Sequence, residues 1–460
     1  MPTQCSATST IFEQVDGRQV VAGFDGGEIT SDAGALLLGR VDDSIKLMDR
    51  LAGCFQDGRD PELIEHSVRT LVMQRVVGIA LGYEDLNDHD QLRHDPVLAV
   101  LAGKLKAQRK DCAPLAGKST LNRLEHAPKA TPGERYRKIA HHPEQIESLF
   151  VDLFLEAHET PPESIVLDLD ATDDPLHGDQ EGRFFHGYYD GYCYLPLYVF
   201  CGKHLLAAKL RRSNIDGSAG AVEEMDRVVG QIRKRWPKVR ITLRADSGFA
   251  REELMAWCES NAVDYVFGLA KNARLIEVLE PALARAQARQ ARSGKAEREF
   301  TDFRYSTRKS WSRERRVVGK AEQLPGLSNP RFVVTSLTSE TWSARALYED
   351  LYCARGEMEN RIKECQGDLF ADRTSTATML GNQLRLWLSS FAYVLMDALR
   401  RKALAGTELA QATCGTLRLK LLKIGAWVVR SVRRVRIAMA SSFPYQDLWS
   451  ASYARLADSG

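Results

Sequence analysis

The stretch Ser164-Ile-Val-Leu-Asp-Leu-Asp-Ala-Thr172 decides the fold, because it predicts a buried strand that ends in carboxylates. It is rich in Val, Ile and Leu, and Pro162 and Pro175 bound it, as is typical of a strand. Side chains alternate along a strand, so Asp168 and Asp170 share one face near its end. An isolated Asp-x-Asp most often caps a strand or a turn, so its meaning depends on acids elsewhere in the chain.

A second acid, Asp246, follows another apolar strand pattern at residues 239–245. Ser247 and Gly248 come next, and helical spacing begins soon after them. Asp246 could therefore cap that helix, a role that Ser247 could fill equally well.

A third acid, Glu359, lies in a charged stretch with helical spacing at residues 348–363. Residues four apart share a helix face, so Glu359 can pair with Arg355 and with Lys363. Such pairs are usually surface salt bridges, each stabilising the helix by about 0.3–0.5 kcal/mol. Glu357 is the nearest competitor as a metal ligand, but it lies on a different face of the helix.

Taken together, the three acids occur in the order strand-Asp, strand-Asp and helix-Glu, which is more informative than any one of them alone. A phosphodiester-cleaving site on a ribonuclease H-like sheet needs this order. Hard divalent cations choose oxygen ligands, and two Mg²⁺ ions about 4 Å apart can activate a water or a 3′-hydroxyl while stabilising the leaving oxygen. We therefore predict that Asp170, Asp246 and Glu359 are the catalytic residues and the metal ligands.

These motifs resemble the DDE transposases of bacterial insertion sequences, members of the ribonuclease H-like, retroviral-integrase superfamily. The family's first Asp is commonly followed two positions later by Thr, as in Asp170-Ala-Thr172, and its second lies in an Arg-x-Asp-Ser-Gly-Phe setting, as in residues 244–249. Its third motif, Tyr-x2-Arg-x3-Glu-x6-Lys, matches at Tyr352, Arg355 and Glu359. The resemblance covers most of the chain and implies a cofactor of two Mg²⁺ ions, for which Mn²⁺ can substitute.

The third motif departs from the family at its last position, where Gln366 stands in place of Lys. Lys363, one helical turn after Glu359, resembles a basic position of that helix and could take over a phosphate contact. The resemblance implies that Tyr352, Arg355 and Lys363 position DNA phosphates near the metals.

We expect an α/β chain with a ribonuclease H-like mixed sheet core, a helical N-terminal region, a β-rich insertion and a helical C-terminal region. The expected boundaries are 1–160 for the mainly helical DNA-binding region, 161–272 and 343–400 for the catalytic core, 273–342 for the insertion and 401–460 for the basic C-terminal region.

The hydrophobic spacing also predicts individual elements. In the core, strands are expected near 164–171, 194–201, 204–210, 239–245 and 264–270, and helices near 218–235 and 250–261. In the N-terminal region, residues 63–82 and 119–124 have helical patterns, the second with Ser119 or Thr120 as its cap.

The insertion resembles a β-rich segment that precedes the Glu in one branch of these transposases. Trp311 lies there beside Arg308, Lys309 and Arg313. In related enzymes an aromatic residue of the insertion can hold a base flipped from the DNA end, because flipping needs a surface that offsets lost stacking. A Trp in a β-hairpin more often packs on its neighbours, so DNA binding by Trp311 is one of two interpretations.

The net charge of +2 hides two basic runs. Residues 285–320 contain twelve Lys or Arg against four acids, and residues 400–436 contain ten against one. Basic runs are often only solvated faces, but two of them favour a polyanionic partner. We expect double-stranded DNA, namely the terminal inverted repeats of a mobile element and its target.

Several other classes of protein are disfavoured. Nine scattered cysteines without Cys-x2-Cys spacing indicate neither a disulfide framework nor a zinc site and favour a reducing cytoplasm, where the protein would associate with the nucleoid when bound to DNA. The sequence contains neither a signal-peptide pattern nor a run of about 18 apolar residues, so a membrane protein is not expected. Gly117-Lys-Ser-Thr120 resembles a nucleotide-binding loop, but Cys112 replaces its first Gly, so ATP is not expected.

The residues together predict a DDE transposase that nicks DNA at its element's ends and joins the exposed 3′-hydroxyl to target DNA, acting as a homodimer. Two alternatives remain open. One is a ribonuclease H-like nuclease that cuts without strand transfer. The other is a transposase-derived DNA-binding protein without catalytic activity, which the Lys-to-Gln departure keeps possible.

Overall fold

The computed structural model describes residues 9–130 and 139–458. The chain divides into two compact units, one formed by Met1–His141 with Phe391–Gly460 and the other by His142–Ser390. We call them the terminal unit and the central unit. Each has its own buried apolar residues. The predicted core segment 161–272 lies in the central unit, whereas the segment 343–400 crosses into the terminal unit after Ser390.

The first part of the terminal unit is mainly helical. Its described strands are short: β1 (Thr10–Val15), β2 (Arg18–Ala22), β3 (Ile29–Thr30), β4 (Phe55–Asp57) and β5 (Ile139–His141). Its helices are α1 (Leu36–Ile45), α2 (Leu47–Gly53), α3 (Val68–Ala80), α4 (His89–Leu92), α5 (Pro96–Leu101) and α6 (Lys118–Glu125). The predicted side-chain cap on α6 is wrong, because Gly117 is the N-cap residue and Ser119 and Thr120 lie inside the helix.

The central unit begins with α7 (Pro143–Glu156) and contains a large sheet with helices packed against it. The strands are β6 (Ser164–Ala171), β7 (Asp174–Pro175), β8 (Phe184–His186), β9 (Gly191–Tyr194), β10 (Leu197–Cys201), β11 (His204–Lys209), β12 (Arg240–Ala245), β13 (Asp264–Leu269), β14 (Glu297–Tyr305), β15 (Arg315–Leu324), β16 (Leu327–Ser328) and β17 (Arg331–Thr335). The helices among them are α8 (Ala221–Arg235), α9 (Glu252–Ser260) and α10 (Ala273–Ser293).

The large sheet is mixed, with the strand order β11-β10-β6-β12-β13-β17-β15-β14 and β16 paired to β15. β6, β12 and β13 are parallel, whereas β10 runs antiparallel to both β6 and β11. The first five strands have the order and directions of a ribonuclease H-like core. The predicted α/β class is confirmed.

The core of this unit lies between the sheet and its helices. Leu167 and Leu169 of β6 and Leu243 of β12 are fully buried there. Helix α8 buries Met225, Val228 and Ile232, residues three or four apart that form one apolar stripe. The predicted strand 194–201 is in fact two strands, β9 and β10, because Pro196 lies between them and cannot donate a ladder hydrogen bond.

The segment predicted as a β-rich insertion contains one long helix and four strands. Helix α10 packs on β14 and β15. β17 pairs with β13, so these strands continue the large sheet. The segment therefore extends the core sheet within the central unit.

A long, irregular helical segment follows. It consists of α11 (Ala344–Ala346), a π-helical turn (Leu347–Tyr352), a 3₁₀ turn (Cys353–Arg355), α12 (Gly356–Lys363) and a second π-helical turn (Glu364–Asp368). Helix α13 (Met379–Ala403) then leads from the central unit into the terminal unit.

The second part of the terminal unit contains α14 (Cys414–Leu417), β18 (Ala426–Arg430), β19 (Val435–Met439) and α15 (Gln446–Asp458). β18 pairs with β3, and α15 packs on α1. The two ends of the chain thus build this unit together. The region predicted as helical also contains the β18–β19 hairpin.

Candidate active site

Asp170 and Asp246 lie at one edge of the sheet, because they follow paired residues of two parallel strands. The register of β6 and β12 sets Leu169 opposite Ala245. Asp170 follows Leu169 in β6, and Asp246 follows Ala245 directly after β12. Asp246 Oδ1 also accepts a hydrogen bond from the Gly248 amide at 2.8 Å, which caps the short turn after the strand.

Arg355 links the third acid to the first. Its Nη1 donates to Asp170 Oδ2 at 3.1 Å, and its Nη2 donates to Glu359 Oε1 at 2.6 Å. The side chains of Asp170 and Arg355 are 15% and 19% exposed, and that of Glu359 is 44% exposed. The guanidinium therefore lies between two of the predicted metal ligands.

The carboxylates influence one another through space. Burial raises the pKa of Asp170 to about 6, and the negative charges of Asp246 and Glu359 act in the same direction, while Arg355 opposes the rise. A cluster of acids with one buried member of raised pKa, at the edge of a sheet, is a candidate functional site. The arrangement favours binding of positive charge.

Asp168, the other acid of the first strand, is held by Arg244. The guanidinium donates Nε to Asp168 Oδ1 at 2.5 Å and Nη2 to Oδ2 at 2.8 Å, and both side chains are almost fully buried. Its Nη1 donates to the Leu351 carbonyl at 2.6 Å. This ion pair occupies the Asp168 carboxylate and ties the helical segment to the sheet.

The role of Arg244 was not predicted from the sequence, although a signal was present. Arg244 lies two residues before Asp246, and Asp168 lies two residues before Asp170. If the two strands are parallel and Asp246 aligns with Asp170, then Arg244 must lie opposite Asp168. The strand register confirms this pairing.

The helical segment that carries Tyr352, Arg355 and Glu359 is not a regular α-helix. Tyr352 ends a π-helical turn, Arg355 lies in a 3₁₀ turn, and Glu359 lies in α12. Single π turns inside helices are frequent at functional sites. Despite the change of pitch, Arg355 and Glu359 form the pair that their spacing of four residues predicts.

Tyr352 packs against strand β13 at Gly268. A Cβ atom on Gly268 would lie 2.6 Å from Tyr352 Oη and 2.9 Å from the Ser247 backbone nitrogen. Only glycine leaves room for this approach. The Tyr352 ring is also 5.5 Å from that of Tyr348.

The remaining predicted residues of the helix differ in exposure. Lys363 and Glu357 are exposed, and Glu357 makes none of the contacts that join Arg355 to the acids. Gln366 turns inward, and its Nε2 donates to the Asp173 carbonyl and to Asp174 Oδ1, each at 3.0 Å. Asp174 is fully buried, and burial raises its pKa well above the usual range. The residue that replaces the family's Lys thus secures the chain after the first strand.

Trp311 is half-buried and packs on the edge of the central unit's core. Its ring meets that of Tyr305 edge-on at 5.7 Å, and the Arg315 guanidinium lies 5.5 Å from its centroid. Its backbone amide donates to Thr307 Oγ1 at 2.8 Å. These contacts hold Trp311 in the loop between β14 and β15.

Much of the positive charge in residues 285–320 is used within the protein. Seven of its basic residues form ion pairs with acids of the central unit: Arg285, Arg289, Arg298, Arg313, Arg315, Arg316 and Lys320. In the terminal unit, Lys423 pairs with Asp32 and Arg430 with Glu28. A count of charges along the chain therefore overstates the charge left for a polyanion.

The geometry of the three predicted acids bears on whether they can hold a metal ion. Across residues 9–130 and 139–458, no three His, Cys, Asp or Glu side chains form a ready-made metal cluster. The donor chemistry of Asp170, Asp246 and Glu359 suits a hard divalent cation. The residues fit such a cation once Arg355 releases the carboxylates that it now bridges.

The family model described as transposase DDE domain group 1 matches residues 12–460. The chain belongs to the DDE transposase family. No curated protein matches this transposase. Among solved structures, it is similar to a piggyBac transposase in a synaptic complex with hairpin DNA, determined by cryo-EM, with 12% identity and a TM-score of 0.38. That alignment covers 93% of the chain and 82% of the other.

Among the helices that the structure describes, none combines the length and the apolar character needed to cross a lipid bilayer.

Proposed function

We propose that this DDE transposase cleaves DNA at the terminal inverted repeats of a mobile element and joins the freed 3′-hydroxyl to target DNA. The observation that supports the proposal is that Asp170 and Asp246 follow paired residues of two parallel strands, while Arg355 bridges Asp170 and Glu359. Three carboxylates from two strands and a helix are what this phosphodiester chemistry requires.

In this proposal, Asp170, Asp246 and Glu359 hold two Mg²⁺ ions, with Mn²⁺ as a substitute. When bound, such ions activate the attacking oxygen and stabilise the leaving one. Arg355 moves from the carboxylates to a DNA phosphate, for which its planar guanidinium is well suited. Tyr352 and Lys363 contribute further phosphate contacts on the same helical segment.

The proposed partners are the double-stranded DNA of the terminal repeats and of the target. Two ends of one element must be joined together, so we propose that two copies of the chain act on DNA. Trp311 is proposed as a base-holding residue, which would require its ring to leave Tyr305 or to stack a base on its exposed part.

The test is Mg²⁺-dependent cleavage and joining of a duplex that carries the inverted repeats flanking the gene. Asp246→Asn and Glu359→Gln should each lower cleavage more than about 100-fold, because even residues that only orient metal ligands contribute about 10–100-fold. Both variants should bind the duplex as the intact protein does. Glu357→Gln is the matched control, since Glu357 is exposed and two residues from Glu359.

The outcomes separate the alternatives. Cleavage without joining would identify a nuclease that lacks strand transfer. Binding without cleavage by the intact protein, under conditions where an active transposase cuts its own ends, would leave only a DNA-binding function. Loss of cleavage in Glu357→Gln but not in Glu359→Gln would move the third ligand to Glu357.

A further inference from the structure

A cavity of about 310 Å³ lies beside the acidic site. It is formed where β13 ends and β17 begins, with the π-helical turn Leu347–Tyr352 as one wall. Its volume falls within the range of about 300–1,000 Å³ that small-ligand sites occupy. Of the residues given a role above, only Tyr352 lines it.

The cavity shares its walls with the acidic site. Ser247, which follows the predicted ligand Asp246, lines it, and so does Tyr352, which lies three residues before Arg355. The close approach at Gly268 brings these two walls together, because the site of a Cβ there is 2.6 Å from Tyr352 Oη and 2.9 Å from the Ser247 nitrogen. A ligand in the cavity would therefore lie next to the reacting phosphate.

The lining carries positive charge and aromatic surface. Lys271 and Arg331 are both exposed, and no acidic residue lines this described cavity. Arg331 lies close enough to Tyr348 and Tyr352 for its charge to oppose the rise in the pKa of both phenols. The two tyrosine rings are 5.5 Å apart at 50°. Tyr348 is only 6% exposed and packs against Phe300, whereas Tyr352 is partly exposed. Two cations beside the Tyr352 ring match the phosphate and the base of a nucleotide.

We propose that this cavity binds a single unpaired nucleotide of the DNA substrate, with its phosphate on Lys271 and Arg331 and its base against the ring of Tyr352. This inference rests on the proposed function, since it names the part of the DNA held beside the acids. The cavity is distinct from Trp311, which is absent from its lining. A paired base cannot enter it, because its faces are covered by neighbouring bases.

The test uses the full chain, EDTA, and two short duplexes that carry 2-aminopurine at the same position. In one duplex this base is an unpaired end nucleotide, and in the other it is paired in a blunt end. The overhang duplex should bind about tenfold more tightly, within the range for stacking one base on an aromatic side chain, and its fluorescence should be quenched.

The decisive variants remove the same charge at opposite ends of the sheet. Lys271→Ala with Arg331→Ala should reduce the preference for the overhang to within about twofold of none. Lys238→Ala with Arg240→Ala removes two exposed cations at the amino end of β12 and should keep the preference. Unchanged thermal unfolding would show that both proteins are folded.

Three results would overturn the inference: no preference for the overhang, a preference that survives in Lys271→Ala with Arg331→Ala, or an equal loss in both double variants. Because EDTA prevents cleavage, this binding test is independent of the catalytic test. A protein that cuts terminal-repeat DNA but shows no preference refutes only the nucleotide site. A protein that shows the preference but never cuts refutes the proposed catalysis.

Discussion

Arg355 has a role in the unbound protein that differs from its proposed role on DNA. Its guanidinium neutralises Asp170 and Glu359, which would otherwise repel each other and Asp246. A divalent cation and Arg355 compete for the same carboxylate oxygens. Binding of DNA phosphate to Arg355 would remove this competition, so DNA and metal should assist each other's binding.

Arg355→Ala should therefore increase the affinity for Mn²⁺ in the absence of DNA, by about fivefold for an ion pair of roughly 1 kcal/mol. The measurement is a Mn²⁺ titration followed by electron paramagnetic resonance. Arg361→Ala is the control, because Arg361 pairs with Glu364 on the same helix and contacts none of the three acids. Equal or weaker Mn²⁺ binding by Arg355→Ala would contradict the competition.

His89 of the terminal unit should make the stability of the protein depend on pH. It is fully buried, with Gln74 Nε2 3.0 Å from Nδ1 and Arg75 Nη1 3.1 Å from Nε2. Burial first and Arg75 second lower the pKa of His89 to about 3, against the weaker opposing charge of Asp90. The unfolded chain therefore binds more protons than the folded one between about pH 6.5 and pH 3.

Stability should fall as the pH falls through this window, by about 2 kcal/mol between pH 7 and pH 5 from His89 alone. Urea unfolding at several pH values, read by hydrogen exchange in helix α3, measures the loss. His89→Gln cannot titrate, so its dependence on pH should be weaker by this amount. Identical slopes for both proteins would show that His89 is not the group responsible.

At the scale of elements, the approach of Tyr352 to β13 explains why a glycine lies in a buried strand. Glycine weakens a strand, so its presence in β13 marks a close contact. Gly268 supplies that contact for both the tyrosine and the turn after Asp246.

Gly268→Ala should destabilise the central unit by about 1–3 kcal/mol, because the new methyl group overpacks the contact with Tyr352 and Ser247. Gly230→Ala in helix α8 should instead stabilise it by about 0.5–1 kcal/mol, since no atom lies within 4 Å of its Cβ position. Urea unfolding of both variants tests this. A neutral Gly268→Ala would mean that the tyrosine moves away without cost.

The elements of the core could be predicted closely from sequence because their hydrophobic patterns are strong. Strand β6 has the predicted bounds, and α8 ends at the predicted residue, Arg235. The break at Pro196 was missed because the apolar run continues through it. The π-helical turn Leu347–Tyr352 was not predicted, and it makes long-range contacts, with Arg244 through the Leu351 carbonyl and with Gly268 through Tyr352, that a local pattern does not encode.

Part of the candidate site could be predicted from the sequence. The acids could be chosen by their place at strand ends and by the spacing of the third motif. The bridging position of Arg355, the ion pair of Asp168 and the inward turn of Gln366 depend on strand register and helix pitch. These are long-range relations between residues that local patterns do not encode.

At the scale of the whole molecule, the two ends of the chain meet in the terminal unit. β3 pairs with β18, and the Ala33 amide donates to the Ile424 carbonyl at 3.0 Å. A Cβ on Gly34 would lie 2.0 Å from the Leu421 carbonyl oxygen, so the two segments touch through their backbones.

Gly34→Ala should therefore destabilise the terminal unit by about 3 kcal/mol, at the upper end of overpacking, because a backbone segment must move. Gly53→Ala at the end of α2 is the control, with no atom within 4 Å of its Cβ position. Hydrogen exchange should show faster opening of β18 in Gly34→Ala alone. Unchanged protection of β18 would contradict the contact.

Because both parts of the terminal unit come from distant segments of the chain, the two units can complete their folding at different times during translation. The central unit is complete once Ser390 has left the ribosome, whereas the terminal unit waits for β18 and α15. Residues 9–130, although made first, must remain incompletely packed while some three hundred later residues are translated. A message cut short between the codons for Ser390 and Ala426 would yield a chain with a complete central unit, but its residues 9–130 would lack the strand β18 with which β3 pairs.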